Sequence, residues 1–456
     1  MKKIPLLSML CSAALFTLPA YADVAPAHAA TPAATTAPKR APAAPPVSKE
    51  AAAATLERNK LMRNFGAWRV YEPISRELLF PFSLAPVSKG SLKKLTDFQF
   101  SPQAQATFQE LFGTPRPLHM NWRESDQGEI EINYLLQALD YTDPATGSVA
   151  KWDILRGTQT YSKDLRRMRA IFDWPMFSQS FGKDMQLRLR QIHLTQEVGF
   201  NAHQLPLGVM QLEIPEATLN VGSKEQSITL NHVRMTGGMT QREKLLEAEA
   251  DISTTDAMVM GQEFGPFHMS YRVTGLNEAA TARLFHRVKQ LKMNGDDMTD
   301  RLLLSNAILN KDAWQVLTPV SKFELQDLSI VYQSMKAVIS GAVWLDKAKA
   351  TDMLNPKSLK EKLSSHFELT MPRALALKLA SLAAPKVADG KAGASNPEQQ
   401  AAALLQSWIS KGMIKEEGDQ LHAVFDYAGG ISQINGHPLD GALKANAGAA
   451  AKPVRP

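Results

Sequence analysis

Apolar and polar residues alternate with a period of two through the middle of the chain. Met185, Leu187 and Leu189 alternate with Gln186, Arg188 and Arg190, and Leu219 with Val221 and Ile228 with Leu230 extend the pattern. Upstream, Ile130 and Ile132 alternate with Glu129 and Glu131 after the turn-like Ser125-Asp126-Gln127-Gly128. Downstream, Phe323 and Leu325, then Ile339, Val343 and Leu345 around Gly341, do the same. Side chains on a strand point alternately to its two faces, so this spacing predicts strands with one face buried and one wetted, an antiparallel habit. Gly222-Ser223 and Gly237-Gly238 read as turns between them.

Five stretches switch to helical spacing. Ser101-Pro102 supplies a capping serine and a first-turn proline for a helix that runs to Leu111-Phe112 and stops at Gly113. Asn277 caps a second, with Ala280, Leu284, Val288 and Leu291 on one stripe. A third follows Asn355-Pro356 and a fourth starts at Pro372. The last opens at Asn396-Pro397, carries Ala401, Leu404, Leu405, Trp408 and Ile409, and ends at Gly412. Strands and helices do not alternate strictly. The class is α+β: an extended, twisted antiparallel sheet or sheets of many strands, with several interspersed helices.

The ends read differently. Lys2 and Lys3, an apolar run from Ile4 to Leu18, and the small-x-small end Ala20-Tyr21-Ala22 make residues 1–22 a signal peptide. The run is too short and too broken by Pro5, Ser8, Ser12 and Pro19 for a spanning helix of about 20 residues. Cleavage after Ala22 places the mature chain in the periplasm with no transmembrane helix; the alternative is an uncleaved inner-membrane anchor. Residues 23–58, rich in Ala and Pro, form a disordered tether, and residues 441–456 form a coreless tail. The body spans residues 59–440, as one unit or two sub-domains, with a flexible loop at about 385–396.

Cys11 is the only cysteine and sits inside the apolar run, with Leu10 where a lipoprotein signal needs a small residue. The mature chain therefore has no cysteine, which excludes disulfides, thiolate catalysis and cysteine metal sites. Loss of Lys2 and Lys3 takes the formal charge from +6 to +4, and the basic residues are spread out. Arg166, Arg167 and Arg169, interleaved with Leu165, Met168 and Ile171, read as a half-solvated face rather than a phosphate site. No nucleic-acid partner is expected.

Gly265-Pro266-Phe267-His268-Met269-Ser270-Tyr271-Arg272-Val273-Thr274-Gly275-Leu276-Asn277, followed by an Ala-rich helix, resembles the YdgA-like family of bacterial envelope proteins. So do Leu328-Ser329-Ile330, Ser340-Gly341-Ala342-Val343 and Leu369-Thr370-Met371-Pro372. The end of the body fits too: Lys411-Gly412-Met413-Ile414, Phe425-Asp426-Tyr427, and Ile431-Ser432-Gln433-Ile434-Asn435-Gly436-His437-Pro438. The resemblance covers roughly residues 115 to 440. It implies an envelope protein of unknown biochemical role with no established catalytic residues, and relatives that keep an uncleaved anchor. In the last segment Asn435-Gly436 tolerates positive φ and closes or ends the final hairpin.

Searches for chemistry leave catalytic residues unknown. Ser91-Leu92-Lys93-Lys94 matches a serine–lysine pattern but lacks its companion motifs. His193 and His203 stand ten apart, and His268 and His286 flank a strand-to-helix turn; none has metal-ligand spacing, so no metal and no cofactor are expected. Asn294-Gly295-Asp296-Asp297 with Asp300 lacks the ligand pattern of a calcium loop and reads as an acidic turn. Trp174-Pro175-Met176-Phe177 with Phe172 and Phe181 is the densest apolar cluster, and core packing is the preferred account of it over a surface for lipid or partner segments.

The expected function is that of an exported, non-enzymatic envelope protein binding a protein partner or an apolar ligand on its sheet. The alternative is a periplasmic hydrolase of an envelope polymer or lipid, its site assembled from distant residues. A plain structural spacer, and a homo-oligomer, stay open.

Overall fold

The computed structural model describes residues 88–90, 99–144, 147–181, 185–222, 227–289, 313–354, 356–383 and 397–439. The signal segment, the tether, the tail, the loop at 385–396, Ser91–Lys94 and Asn294–Asp300 lie outside the described residues.

Twenty strands join in one antiparallel sheet. The first are β1 (Leu118–Glu124), β2 (Ile130–Leu136), β3 (Leu139–Thr142), β4 (Val149–Trp152), β5 (Leu155–Tyr161) and β6 (Arg167–Phe181). Long strands follow: β7 (Met185–Phe200), β8 (Pro206–Val221), β9 (Ser227–Arg242) and β10 (Leu245–Thr254). Then come β11 (Asp256–Val259), β12 (Gln262–Phe264), β13 (Phe267–Asn277), β14 (Lys322–Tyr332), β15 (Met335–Leu345) and β16 (Leu363–Pro372). The last are β17 (Lys415–Glu417), β18 (Gln420–Ala428), β19 (Ile431–Ile434) and β20 (His437–Pro438). Pairing runs β1–β2–β5–β6–β7–β8–β9–β10–β13–β14–β15–β16–β18–β19–β20. It is a meander, and it stays open. Short strands prolong their neighbours: β3 and β4 beside β6, β11 and β12 beside β9, and β17 beside β18.

The helices are α1 (Pro102–Phe112), α2 (Glu278–Lys289), α3 (Pro356–Lys362), α4 (Arg373–Ala383) and α5 (Pro397–Ser410). Their boundaries follow local chemistry. Ser101 Oγ accepts from Ala104 N–H at 3.2 Å and Gly113 ends α1 at φ 70°. Asn277 Oδ1 accepts from Ala280 N–H at 2.8 Å and caps α2. Pro372, expected to open α4, instead ends β16 opposite Gln420, and α4 begins one residue later. A proline fits there because it needs no donor at a strand terminus.

Gly237-Gly238 is not a turn. Both residues lie inside β9, where Gly237 pairs with Met210 and Ala250 and Gly238 with Val209 and Glu249. They mark a close backbone approach instead: a Cβ at Gly238 would meet Gly208 O at 3.0 Å.

A crease crosses the sheet where ladder pairing lapses on successive strands. It passes between β4 and β5, through Pro175 of β6 opposite Gln191 of β7, and through Pro215 of β8 opposite His232 of β9. It then reaches Thr255, between β10 and β11, and Gly265-Pro266, between β12 and β13. Gln191 and His232 take positive φ, 54° and 49°. The prolines cannot donate to the ladder, and residues in the left-handed region reverse which face their strand presents. Beyond Gln191 the wet positions of β7 change from Arg188 and Arg190 to His193 and Glu197.

At the β1 end, α1 lays Phe108 and Ala104 onto Phe100, Leu118, Leu139 and Trp152. Trp174 and Phe177 close around Trp152, with ring centroids 6.0 and 6.1 Å away. Much of the aromatic cluster seen in the sequence is thus core. Phe172 faces a different cluster, with its ring 5.8 Å from Tyr134. The described side chains do not include Phe181.

Candidate functional site: an apolar floor and a charged reverse face

Residues paired across an antiparallel ladder share a face, so the register converts the period-two pattern into rows. One row reads Met120, Tyr134, Gly157, Phe172, Leu194, Leu212, Met235, Ile252, Met269, Leu328, Ile339, Leu369 and Ala423, from β1 to β18. No charged residue interrupts it. The row two residues along runs through Met210, Gly237, Ala250, Tyr271, Leu325, Gly341, Phe367, Phe425 and Ile434. A third runs through Gly208, Met239, Ala248, Val273, Phe323 and Val343. Bulges beside Ser270 and Asp327 keep the rows aligned.

Across β2, β5 and β6 this face is closed: Ile130 and Ile132 are fully buried, with Tyr134, Tyr161, Met168 and Ala170. From β8 to β18 most of its side chains are only half-buried, Leu212, Ile252, Met269, Leu328, Ile339 and Leu369 among them. Helix α2 packs Ala282 onto Leu246, Met239 and Leu276 at one end of these strands. Helix α4 packs Leu375 and Leu379 onto Ile330, Tyr332 and Ala337 at the other. The two helices rim an apolar floor.

The reverse face is polar. Its central row reads Arg156, Asp173, His193, Glu213, Arg234, Ser253, His268, Ser329, Val338, Thr370 and His422. Acidic and basic side chains alternate along its first half, with His193 Nδ1 2.6 Å from Asp173 and Arg234 Nε 3.4 Å from Glu213. The neighbouring rows add Arg123–Glu131 at 2.9 Å, Arg169–Glu197 at 3.4 Å and Arg272–Glu249 at 3.5 Å. Arg167 and Arg169 stand out into solvent while Met168 turns into the core, the half-solvated face expected there. Ile171 breaks the pattern and lies 42% exposed among these charges.

Two histidines are each held by two carboxylates. His268 sets Nε2 2.7 Å from Asp251 of β10 and Nδ1 2.8 Å from Asp327 of β14. His366 sets Nδ1 2.8 Å from Asp426 of β18 and Nε2 3.1 Å from Glu368 on its own strand. Hydrogen bonds to Asp327 and to Asp426, with those to the second carboxylates, hold the two imidazoles above the ordinary histidine range. Ser329 Oγ donates to Asp327 at 3.2 Å, while the other oxygen of Asp327, Oδ1, is buried without a partner. Here serine, histidine and carboxylate converge, yet the hydroxyl points at the carboxylate and both ring nitrogens are taken. Nucleophile activation needs the hydroxyl on the imidazole.

Of the histidines singled out in the sequence, His193 and His203 are not brought together: His203 lies 3.9 Å from Glu278 instead. His268 proves the informative one, and the side chain of His286 lies outside those described. Sequence reasoning missed Asp251, Asp327, His366 and Asp426. Each is an acid or histidine on the wet face of its strand, and that placement acquires meaning only from the register. Among the described residues no group of three or more histidines and acids could hold a metal ion.

On the polar side the crease opens a groove of about 600 Å³, lined by Asp153, Pro175, Met176, Arg188, Arg190, Gln191, Pro215, Glu216, Asn231 and His232. Its charges are balanced, and Arg190 lies 3.4 Å from Glu216. Among the described residues no helix is long and apolar enough to cross a membrane.

Comparison with curated proteins and with solved structures gave no match. A model of a family of bacterial proteins of unknown function, DUF945, matches residues 93–441. That is well over half of the chain, which therefore belongs to the DUF945 family.

Proposed function

We propose that this is an exported envelope protein that holds the acyl chains of a lipid on the apolar floor of its sheet, without catalysing a reaction. The observation that carries the reading is the unbroken apolar row from Leu212 to Leu369, half-buried except at the buried Met235 and rimmed by α2 and α4. Interior strands spend their N–H and C=O groups on both neighbours, so the floor offers an occupant little but hydrocarbon contact. An extended peptide laid across it would leave its own backbone groups unpaired, at a cost of several kcal/mol each. Acyl chains carry no such groups. With strands about 4.8 Å apart, the floor from β8 to β18 is about 34 Å long, against about 30 Å for a bilayer interior holding two chains end to end.

The signal-like first 22 residues and the envelope-family resemblance support export. The arrangement at His268 supports binding over hydrolysis, because its imidazole has no free nitrogen to act as a base.

The test uses full-length protein recovered from the periplasm, stripped of lipid and offered a fluorescent fatty acid. Wild type should bind it, and Met269→Asp and Ile339→Asp should each weaken binding at least tenfold while the circular dichroism stays unchanged. N-terminal sequencing of the same sample should begin at Asp23. Stripped wild-type protein that takes up no fatty acid at micromolar concentration would end this reading.

A further inference from the structure

Between β10 and β18 the reverse face gathers carboxylates, and four of them sit on just two histidines. Glu249 and Asp251 stand on β10, Glu324 and Asp327 on β14, Glu368 on β16 and Asp426 on β18. Arg272 is taken by Glu249 and Lys322 by Glu324, and among the described residues no arginine or lysine is paired with Asp251 or Asp327. The cation between those two is His268, seated on the strand that separates them. His366 bridges in the same way, from β16 to β18.

We propose that His268 and His366 are proton-operated cross-strand clamps. Charged, they tie β10, β13 and β14 together and β16 to β18; neutral, each keeps one N–H for two carboxylates and no longer offsets their like charges, Asp251 with Asp327 on either side of β13 and Glu368 with Asp426 on adjacent strands. The groups facing His268 are Glu249, Asp251 and Ser253 on β10, Ser270 and Arg272 on β13, and Glu324, Asp327 and Ser329 on β14. Those facing His366 are Glu324 and Lys322 on β14, Ser340, Ala342 and Trp344 on β15, Glu368 on its own strand, Asp426 on β18 and Gln433 on β19. The buried, unpartnered Oδ1 of Asp327 makes the first clamp the more consequential. Once His268 is neutral it keeps a single ring N–H for two carboxylates, and the positive charge that balanced Asp327, itself partly withdrawn from water, is gone.

The sign follows from linkage. A histidine held above its ordinary pKa of 6.5 in the folded chain contributes stability that is complete below that value. The contribution is lost as pH rises through the folded-state pKa. The clamps are closed in acid and open in base.

Hydrogen exchange tests this, read as protection factors so that the intrinsic pH dependence of exchange cancels, from about pH 5.5 to 9 across the histidine range. In wild type, amides of β13 and β14 should lose at least tenfold in protection as His268 titrates, while amides of β2 and β5 hold theirs. His268→Gln should show low, flat protection on β13 and β14. Asp251→Asn keeps the clamp but should move the wild-type drop to lower pH. Wild-type protection that stays level while the imidazole resonance titrates would overturn the proposal, as would a drop that persists in His268→Gln.

Discussion

Phe172 lays its ring over Gly157 on the facing strand, so closely that a Cβ on Gly157 would stand 2.1 Å from Phe172 Cδ1. The ring fills the gap a glycine leaves in a sheet face, and reaches on to Tyr134. Gly157→Ala should therefore lower stability by about 1–3 kcal/mol through overpacking, read from urea midpoints. In a Phe172→Ala background the same change should cost little, since the clash partner is gone. Gly341 and Phe367 look alike but differ: a Cβ on Gly341 also meets His366 O, at 2.3 Å. Gly341→Ala should stay costly whether or not Phe367 is present, because a strand backbone cannot rotate aside.

Gln159 holds two buried phenols. Tyr134 donates to its Oε1 at 2.7 Å and Tyr161 at 3.1 Å. Burial pushes both hydroxyls above the ordinary tyrosine value of 10. Gln159→Leu should cost roughly 1–3 kcal/mol, because it takes a shared acceptor from two buried phenols, and adding Tyr134→Phe and Tyr161→Phe should recover most of it. The pH dependence has a definite sign. Above about pH 10 unfolded tyrosines ionise while these two do not, so the native state holds more protons and stability falls as pH rises. That fall should be shallower in the double Tyr→Phe variant, measured by urea unfolding between about pH 9 and 11.

Strands and helix starts were legible because their causes are local. Ile130 and Ile132 are fully buried as their alternation with Glu129 and Glu131 requires, and Ser101 and Asn277 cap the helices they precede. What sequence could not yield is the pairing of distant strands. Asp251 and Asp327 are ordinary exposed-looking acids until the register places Ser270 between them and His268 within reach of both. Gly237-Gly238 misled for the same reason: a diglycine marks a turn or a close strand approach, and only the facing Gly208 decides. The crease is a third case, since Pro175, Pro215 and His232 become one feature only when their strands lie side by side.

Helix α5 has a buried edge and a bare one. Leu405 is 8% exposed and Ala401 7%, whereas Leu404 is 50% exposed and Trp408 43%. The apolar residues of this helix therefore divide between two faces. Leu405→Ala should cost about 2–5 kcal/mol through a cavity, and Leu404→Ala no more than about 0.5 kcal/mol. Thermal midpoints of the two variants, which remove the same atoms, check which face carries the packing.

Asn435 does more than turn the chain. It takes φ 48° before Gly436 at φ 80°, closing the β19–β20 hairpin that its sequence signals. Its side chain also reaches outward: Oδ1 accepts from Val424 N–H at 2.9 Å, and Nδ2 donates to Met413 O at 3.0 Å. The amide thus joins β18 to the segment that leaves α5. Asn435→Ala loses both bonds and strains the left-handed backbone, a combined cost of about 2–4 kcal/mol. Asn435→Gly loses the bonds but relieves the strain, so it should fall between wild type and the alanine variant. A glycine variant as stable as wild type would mean that turn geometry alone fixes this residue; one as unstable as alanine would assign the whole cost to the two hydrogen bonds.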